Sequence, residues 1–224
     1  SRTRGVGPQG PGVQPLEAQL VQLLAAAVGV GLARLEHEAE AARARVQFEQ
    51  FFTPELAREL ERDPNLLEGR EQDITVLFCD VRGFSRISER IGPRDTCRLV
   101  SEIMEQLTLR IREHRGVVVD YIGDGLLAMW NAPVDQPDHA ACACRAALAM
   151  LGELPAIDRE WQPRLGVPIG LGVGINTGRA LVGNTGSRLK FKYGPLGHTV
   201  NLASRIEGAT KQFGVPILIS GSTH

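Results

Sequence analysis

The stretch Ile74-Thr75-Val76-Leu77-Phe78-Cys79-Asp80-Val81-Arg82-Gly83-Phe84-Ser85 sets the reading of the chain. Six mostly apolar, β-favouring residues run up to an aspartate, and a glycine turn then opens a helix at about Ser85. A run of this kind predicts a strand buried on both faces. It delivers Asp80 to the strand's end. Further on, residues 117–121 and 126–130 form two short apolar runs around Ile122-Gly123-Asp124-Gly125, the pattern of a β-hairpin. Asp124 therefore stands at a hairpin tip, and the two aspartates can converge at one edge of a sheet.

Working outward, residues 93–114 repeat as a long amphipathic helix and residues 137–158 as an Ala-rich one. Residues 169–176 alternate Gly with Leu, Val and Ile, the mark of a strand that another backbone approaches closely. Residues 180–183 and 191–196 are strand-like, 199–213 read as a helix and 215–219 as a last strand. This order predicts an α+β fold, a ferredoxin-like, antiparallel-containing sheet with helices on one face.

Upstream the composition changes. Residues 1–14 are rich in Gly, Pro, Arg and Gln and read as a loop or the tail of an upstream domain. Gly5, Gly7 and Gly10 match the dinucleotide fingerprint formally. No strand precedes them and Pro8 interrupts them, so the match carries no function. Residues 15–45 place Leu16, Leu20, Leu23, Leu24, Ala27, Val28, Leu32 and Leu35 at helical spacing and predict a long amphipathic helix. Either it lies on the main domain, or it pairs with a second copy and carries an upstream signal. Phe48, Phe51 and Phe52 follow, then Thr53-Pro54-Glu55 as a helix start and Asp63-Pro64-Asn65 as its end. The expected division is residues 1–14, a signalling and transducer segment at 15–72, and a catalytic domain at 73–224.

The chain has 224 residues, with 25 basic against 26 acidic side chains, a net charge of −1. That balance argues against a nucleic-acid partner. With 43% hydrophobic and 23% charged residues, wholesale disorder is excluded. No apolar run approaches the roughly 20 residues of a membrane span. Four scattered cysteines without a CxxC pattern, and no visible signal peptide, point to a reducing, cytoplasmic setting. The first residue is not Met, so a fragment of a longer protein is expected.

Three groups could carry chemistry. Asp80 and Asp124 suit a hard divalent cation such as Mg²⁺, whose shell is completed by water and substrate phosphates. Two such ions can clamp the attacking and leaving oxygens of a phosphoryl transfer. The alternative is a helix cap and a turn residue. Backbone N–H groups of Gly83, Phe84 and Ser85, at a helix start, could hold phosphate oxygens. No P-loop sequence is present. Asn201 and Arg205, four apart on one helix face, suit a ribose oxygen and a phosphoryl transition state. The alternative is an ion pair of Arg205 with Glu207 or another acid.

Phe78-Cys79-Asp80-Val81-Arg82-Gly83-Phe84-Ser85, Tyr121-Ile122-Gly123-Asp124-Gly125 and Gly197-His198-Thr199-Val200-Asn201-Leu202-Ala203-Ser204-Arg205-Ile206-Glu207 together resemble the class III adenylate/guanylate cyclase catalytic domain. The resemblance runs from about Asp73 to the chain end. It implies a head-to-tail homodimer whose composite sites take metal ligands from one chain and base and transition-state residues from the other. It implies that Asp80, Asp124 and the Val81 carbonyl bind two Mg²⁺ or Mn²⁺. Asn201 would orient the ribose and Arg205 would stabilise the pentavalent phosphorus as the 3′-hydroxyl attacks the α-phosphate of GTP or ATP. Residues 15–45 resemble the last helix of a GAF-type sensor running into a coiled coil, which implies an upstream sensor domain in the same chain.

The sequence departs from the family at the base. Asp120 stands where adenylate cyclases usually carry Lys and guanylate cyclases Glu. Gly194 stands where Asp, Thr or Cys is usual. Lys190, with Arg188 nearby, replaces a phosphate-binding Arg. The family pattern continues past His224 with a further strand and a phosphate-contacting Lys, so an incomplete C-terminal end is expected. A carboxylate at 120 accepts hydrogen bonds only, which narrowly favours GTP. An adenylate cyclase is the alternative, and a non-catalytic cyclase-like dimerisation module is the alternative of another class.

Overall fold

The computed structural model describes residues 62–187 and 191–224, together with isolated helical positions at 28–31, 34–35, 37–38 and 59. Two compact units divide at Phe51/Phe52. In the first, the described positions Val28, Gly29, Val30, Gly31, Arg34, Leu35, His37 and Glu38 are helical, and Arg34 Nε donates to Glu38 at 2.8 Å, one turn on. The rest of the expected signalling helix, the Phe48/Phe51/Phe52 cluster and the Thr53-Pro54-Glu55 start lie outside the described residues. So do Arg188 and Lys190.

The second unit is built on one mixed sheet. Strands β1 (Arg70–Val81), β2 (Val117–Ile122), β3 (Gly125–Trp130), β4 (Leu171–Asn184) and β5 (Tyr193–Leu196) lie in the order β2-β3-β1-β4-β5, all antiparallel. A short β6 (Ile217–Ile219) runs parallel to residues 173–175 of β4. The helices are α1 (Phe84–Glu113), α2 (His139–Leu165) and α3 (His198–Phe213). The α+β class and antiparallel sheet agree with the sequence reading.

Alternation along the strands divides the core into two layers. Leu77, Cys79, Leu126, Ala128, Trp130, Val173 and Ile175 point to one face and pack on Leu99, Ile103, Leu107 and Ile111 of α1 and Ala143, Ala146, Ala147 and Met150 of α2. This is the expected helical layer. Ile74, Val76, Leu127, Met129, Ala180 and Val182 point to the other face, where Ala203 of α3 joins them. The last helix thus covers the face opposite the two long ones. Full burial of each large aliphatic side chain contributes about 1.5–3 kcal/mol, so the sheet's rigidity rests on both layers.

Several boundaries differ from the sequence expectation. β1 begins at Arg70 because its first residues pair with residues 179–182 of β4 although they are polar. The two expected strands at 169–176 and 180–183 are one 14-residue strand, β4. The two expected helices after Asp80 meet across a kink, where Gly92 has φ 79° and Pro93 follows. Asp63 starts a 3-10 turn, accepting from Asn65 N at 3.0 Å, rather than only ending a helix. α2 continues to Leu165 through Pro155 and Pro163, since Ile157, Trp161 and Leu165 are buried beyond the first of them. By length and mean hydropathy α2 could cross a bilayer. Its apolar face is instead packed in the core.

Gly174 shows why β4 is rich in glycine. A Cβ there would lie 2.1 Å from Glu207 N and 2.5 Å from Ala203 O, so the α3 backbone rests directly on the strand. Both neighbours are main chain and cannot swing away. Gly174→Ala should therefore cost about 1–3 kcal/mol by overpacking, a fall of roughly 2–12 °C in melting temperature for a domain this size. A thermal melt checks this, and an unchanged midpoint would contradict the close approach.

Candidate active site

Strand register brings the two aspartates together. Asp80, next to last in β1, lies directly opposite Gly125, the first residue of β3, and Asp124 immediately precedes that glycine. The hairpin turn is the two-residue loop Gly123-Asp124, with Gly123 at φ 63°. Two-residue hairpin loops favour a positive φ at their first position, which glycine adopts without strain. Gly125 permits the contact itself: a Cβ there would lie 2.4 Å from Cys79 O. The carboxyls of Asp80 and Asp124 are close enough for the Asp80 charge to act on Asp124.

Crowding sets the electrostatics. Burial and then the Asp80 charge push the Asp124 carboxyl above the usual carboxylate range. A third acid, Glu207 on α3, stands behind them and is raised by its own burial and by Asp80. Two cations answer in part. Lys211 Nζ lies 3.6 Å from Asp80 Oδ2, and Arg82 Nη1 lies 3.9 Å from Glu207 Oε1. Arg82 also donates to Thr210. Burial likewise pushes the Cys79 thiol up, so the cysteine beside Asp80 stays protonated.

Among the described residues no cluster of three or more His, Cys, Asp and Glu side chains forms a metal cage. The donor set is two adjacent carboxylates. That set fits Mg²⁺ or Mn²⁺, which take one or two carboxylates and leave positions for water and phosphate oxygens. Val81 is buried and closes β1 beside Asp80. Gly83, with φ 67°, starts α1 without a side-chain cap, and Phe84 and Ser85 form its first turn. The phosphate-cradle reading of these three therefore has the backbone geometry it needs.

Asn201 and Arg205 share the exposed side of α3. Among the described residues Arg205 forms no ion pair, and Glu207 faces Arg82 instead. Among the described residues no ion pair joins Arg205 to either aspartate. The α3 residues that act on the aspartates are Glu207 and Lys211.

At the base-reading positions, a β-bulge between Val118 and Asp120 re-aims the end of β2. Asp120 Oδ1 accepts from Tyr121 N at 3.0 Å, and Asp120 Oδ2 accepts from Lys192 Nζ at 2.6 Å. Gly194 is buried, and a Cβ there would lie 2.6 Å from Val119 Cγ1. Sequence reasoning missed Lys192, Lys211, Glu207 and Arg82. Only Lys192 left a signal, since it precedes Gly194 by two residues and so shares its side of an extended chain. The others act across far longer separations, 128 residues between Arg82 and Thr210, where single-sequence spacing is silent.

Paired carboxylates thus stand at a strand end and a hairpin tip of an antiparallel α+β sheet, beside an uncapped helix start. Residues 67–224 match the model of the adenylate and guanylate cyclase catalytic domain. The chain belongs to that family. Its sequence is 38% identical over 152 residues to adenylate cyclase 1 of Rhizobium meliloti, covering 67% of this chain and 23% of that protein. The chain therefore spans about a quarter of that relative's length. Among solved structures it resembles the guanylyl cyclase Cya2, with 34% identity and a TM-score of 0.63 over 69% of this chain and 78% of that one. It also resembles the adenylyl cyclase CyaB of P. aeruginosa, with 30% identity and a TM-score of 0.65 over 70% and 81%.

The crowded acids make a measurable prediction. Asp124 and Glu207 titrate higher in the folded chain than in the unfolded one, so the folded state holds extra protons between the two values. Stability from this source is full below the ordinary carboxylate range, about pH 4, and is lost as pH rises through the raised values. In a chelator, wild type should lose melting temperature over that rise relative to Asp124→Asn. Added Mn²⁺ should recover most at the upper end. Parallel curves for the two proteins would contradict the crowding.

Proposed function

We propose that this chain is the catalytic region of a class III purine nucleotide cyclase, acting in the cytoplasm. It converts a nucleoside triphosphate to its 3′,5′-cyclic monophosphate and pyrophosphate, with GTP narrowly favoured over ATP. The observation that carries the reading is the convergence of Asp80 and Asp124 through the Asp80–Gly125 pairing. Family membership supports it. The names of similar proteins divide between adenylyl and guanylyl cyclases, so base choice rests on this chain's own residues.

Each residue has a task that follows from its position. Asp80, Asp124 and the Val81 carbonyl would hold two Mg²⁺ or Mn²⁺, which when bound supply positive charge to the attacking and leaving oxygens. Backbone N–H groups at Gly83, Phe84 and Ser85 receive phosphate oxygens. Arg188 and Lys190 add positive charge to the same polyphosphate. Arg205 donates to the phosphoryl oxygens as charge builds on them, and Asn201 orients the ribose so that its 3′-oxygen lies in line with the α-phosphorus.

These tasks need two chains. Asn201 and Arg205 face solvent and do not reach their own chain's aspartates, so a second copy must supply them. A cavity of about 580 Å³ between α1 and the hairpin, lined by Met104, Thr108, Leu109 and Tyr121 among others, supports such pairing. Tyr121 and Ile122 are half exposed at its rim. The segment at residues 15–45 would couple the two chains and carry a signal from an upstream sensor domain. The reading of another class, a non-catalytic dimerisation module, would require loss of a metal aspartate or of Arg205, and all four site residues are present.

Asp80→Ala and Asn201→Ala should each abolish cyclic nucleotide formation while leaving the melting curve in place. Mixed in equal amounts, the two should recover about a quarter of wild-type activity, because half the dimers are mixed and each holds one complete site. Recovery of none, with mixed dimers shown to form, would contradict composite sites. Near wild-type turnover by Asp80→Ala would contradict the metal assignment.

A further inference from the structure

The two cations beside the acidic centre are held in different ways. Arg82 is built in. A Cβ at Gly172 would lie 2.5 Å from both Arg82 Nη2 and Glu207 Oε1, so that glycine makes the room in which the two side chains meet. Arg82 also donates to Thr210, and its side chain is only 23% exposed. Lys211 is held loosely. It stands in the last turn of α3, one turn beyond Glu207, with its side chain 58% exposed and its Nζ 3.6 Å from Asp80 Oδ2. At that distance the contact is one of charge, not a hydrogen bond. A flexible four-carbon stem carries the ammonium, so it can swing into solvent while the α3 backbone stays in place.

The Lys211 charge reaches beyond Asp80. It pulls the Asp124 and Glu207 carboxyls back down, against the burial and the Asp80 charge that raise both. Lys211 thus does part of what a bound cation would do for these acids. We propose that Lys211 is a tethered counter-ion of the aspartate pair, which balances the acids while the site holds no metal, is displaced when a divalent cation binds, and so lowers the site's affinity for that cation. This rests on the metal reading above.

The argument is competition for the same carboxylate. An interaction made only in the metal-free state weakens metal binding by the factor that it stabilises that state. Mg²⁺ or Mn²⁺ on Asp80 would also repel an ammonium beside the same oxygens. Of the two cations, Lys211 is the one free to yield, because Arg82 is packed between Gly172, Glu207 and Thr210. Exposure limits the effect, since a solvent-facing ion pair contributes little. The expected penalty on metal affinity is roughly three- to tenfold. It should shrink in high salt, where the reach of a charge falls from about 8 Å at physiological ionic strength to about 3 Å at 1 M. A lysine that only holds α3 on the sheet would act with the opposite sign, because its loss would loosen the site and weaken metal binding.

The test compares the whole chain as wild type, Lys211→Gln and Lys211→Arg. It reads Mn²⁺ binding by electron paramagnetic resonance and melting temperature with chelator or with saturating Mn²⁺. In chelator Lys211→Gln should melt below wild type, by up to about 4 °C, because the acids lose a counter-charge. Its Mn²⁺ dissociation constant should nonetheless be roughly three- to tenfold lower. Saturating Mn²⁺ should bring its melting temperature level with wild type or above it. Lys211→Arg keeps the charge and should bind Mn²⁺ within about twofold of wild type. Potassium chloride at about 1 M should close most of the gap between Lys211→Gln and wild type. Mn²⁺ binding by Lys211→Gln that is weaker than wild type, or within about twofold of it, would overturn the counter-ion. So would Lys211→Arg binding as tightly as Lys211→Gln, or a Lys211→Gln protein too unstable to assay, which would make the lysine structural. If none of the three proteins binds Mn²⁺, the metal reading fails and takes the counter-ion with it. If wild type binds and Lys211→Gln binds no better, the counter-ion alone fails.

Discussion

The site depends on one repulsion held in place by one strand pairing. Asp80 and Asp124 come together because β1 and β3 pair with Asp80 opposite Gly125, and because Gly125 lets the two backbones close to within a distance no side chain would allow. Two carboxyls so placed cannot both ionise at ordinary carboxylate pKa values without a counter-charge. Asp124 gives way, shifting upward, while Lys211 and Arg82 offset part of the excess from α3 and the β1–α1 turn. The sheet buried on both faces supplies the rigidity that keeps the acids together. A divalent cation would remove the conflict, which is the physical basis of the proposed metal and phosphate site.

Much of this was legible in the sequence where chemistry and periodicity coincide. A buried run ending in Asp80 and a Gly-Asp hairpin tip are local signals, and the structure joins them. The helix bearing Asn201 and Arg205 was visible for the same reason. Boundaries were less so, because packing overrode local preference. α2 passes Pro155 since Ile157, Trp161 and Leu165 are buried beyond it, and β1 begins with polar residues because β4 is long enough to pair with them.

What the sequence could not show is contact between distant segments. Asp120 looked like a bare acceptor at the end of a strand. In the structure it is half engaged, by Tyr121 N and by Lys192 from 72 residues away. Glu207 looked like a partner for Arg205 on its own helix, yet it turns inward to Arg82 and leaves Arg205 exposed. That inward turn gives α3 two roles. One side supports the acids of its own chain, and the other presents Asn201 and Arg205 outward. That division fits the proposed site built from two chains.

The central claim is that the paired aspartates are a metal and phosphate site. Equilibrium Mn²⁺ binding followed by electron paramagnetic resonance, with a GTP analogue that cannot cyclise for want of its 3′-hydroxyl, tests it most directly. Wild type should bind protein-dependent Mn²⁺ that is lost in Asp80→Asn combined with Asp124→Asn, with both proteins folded. Equal Mn²⁺ binding by the two proteins would contradict the account.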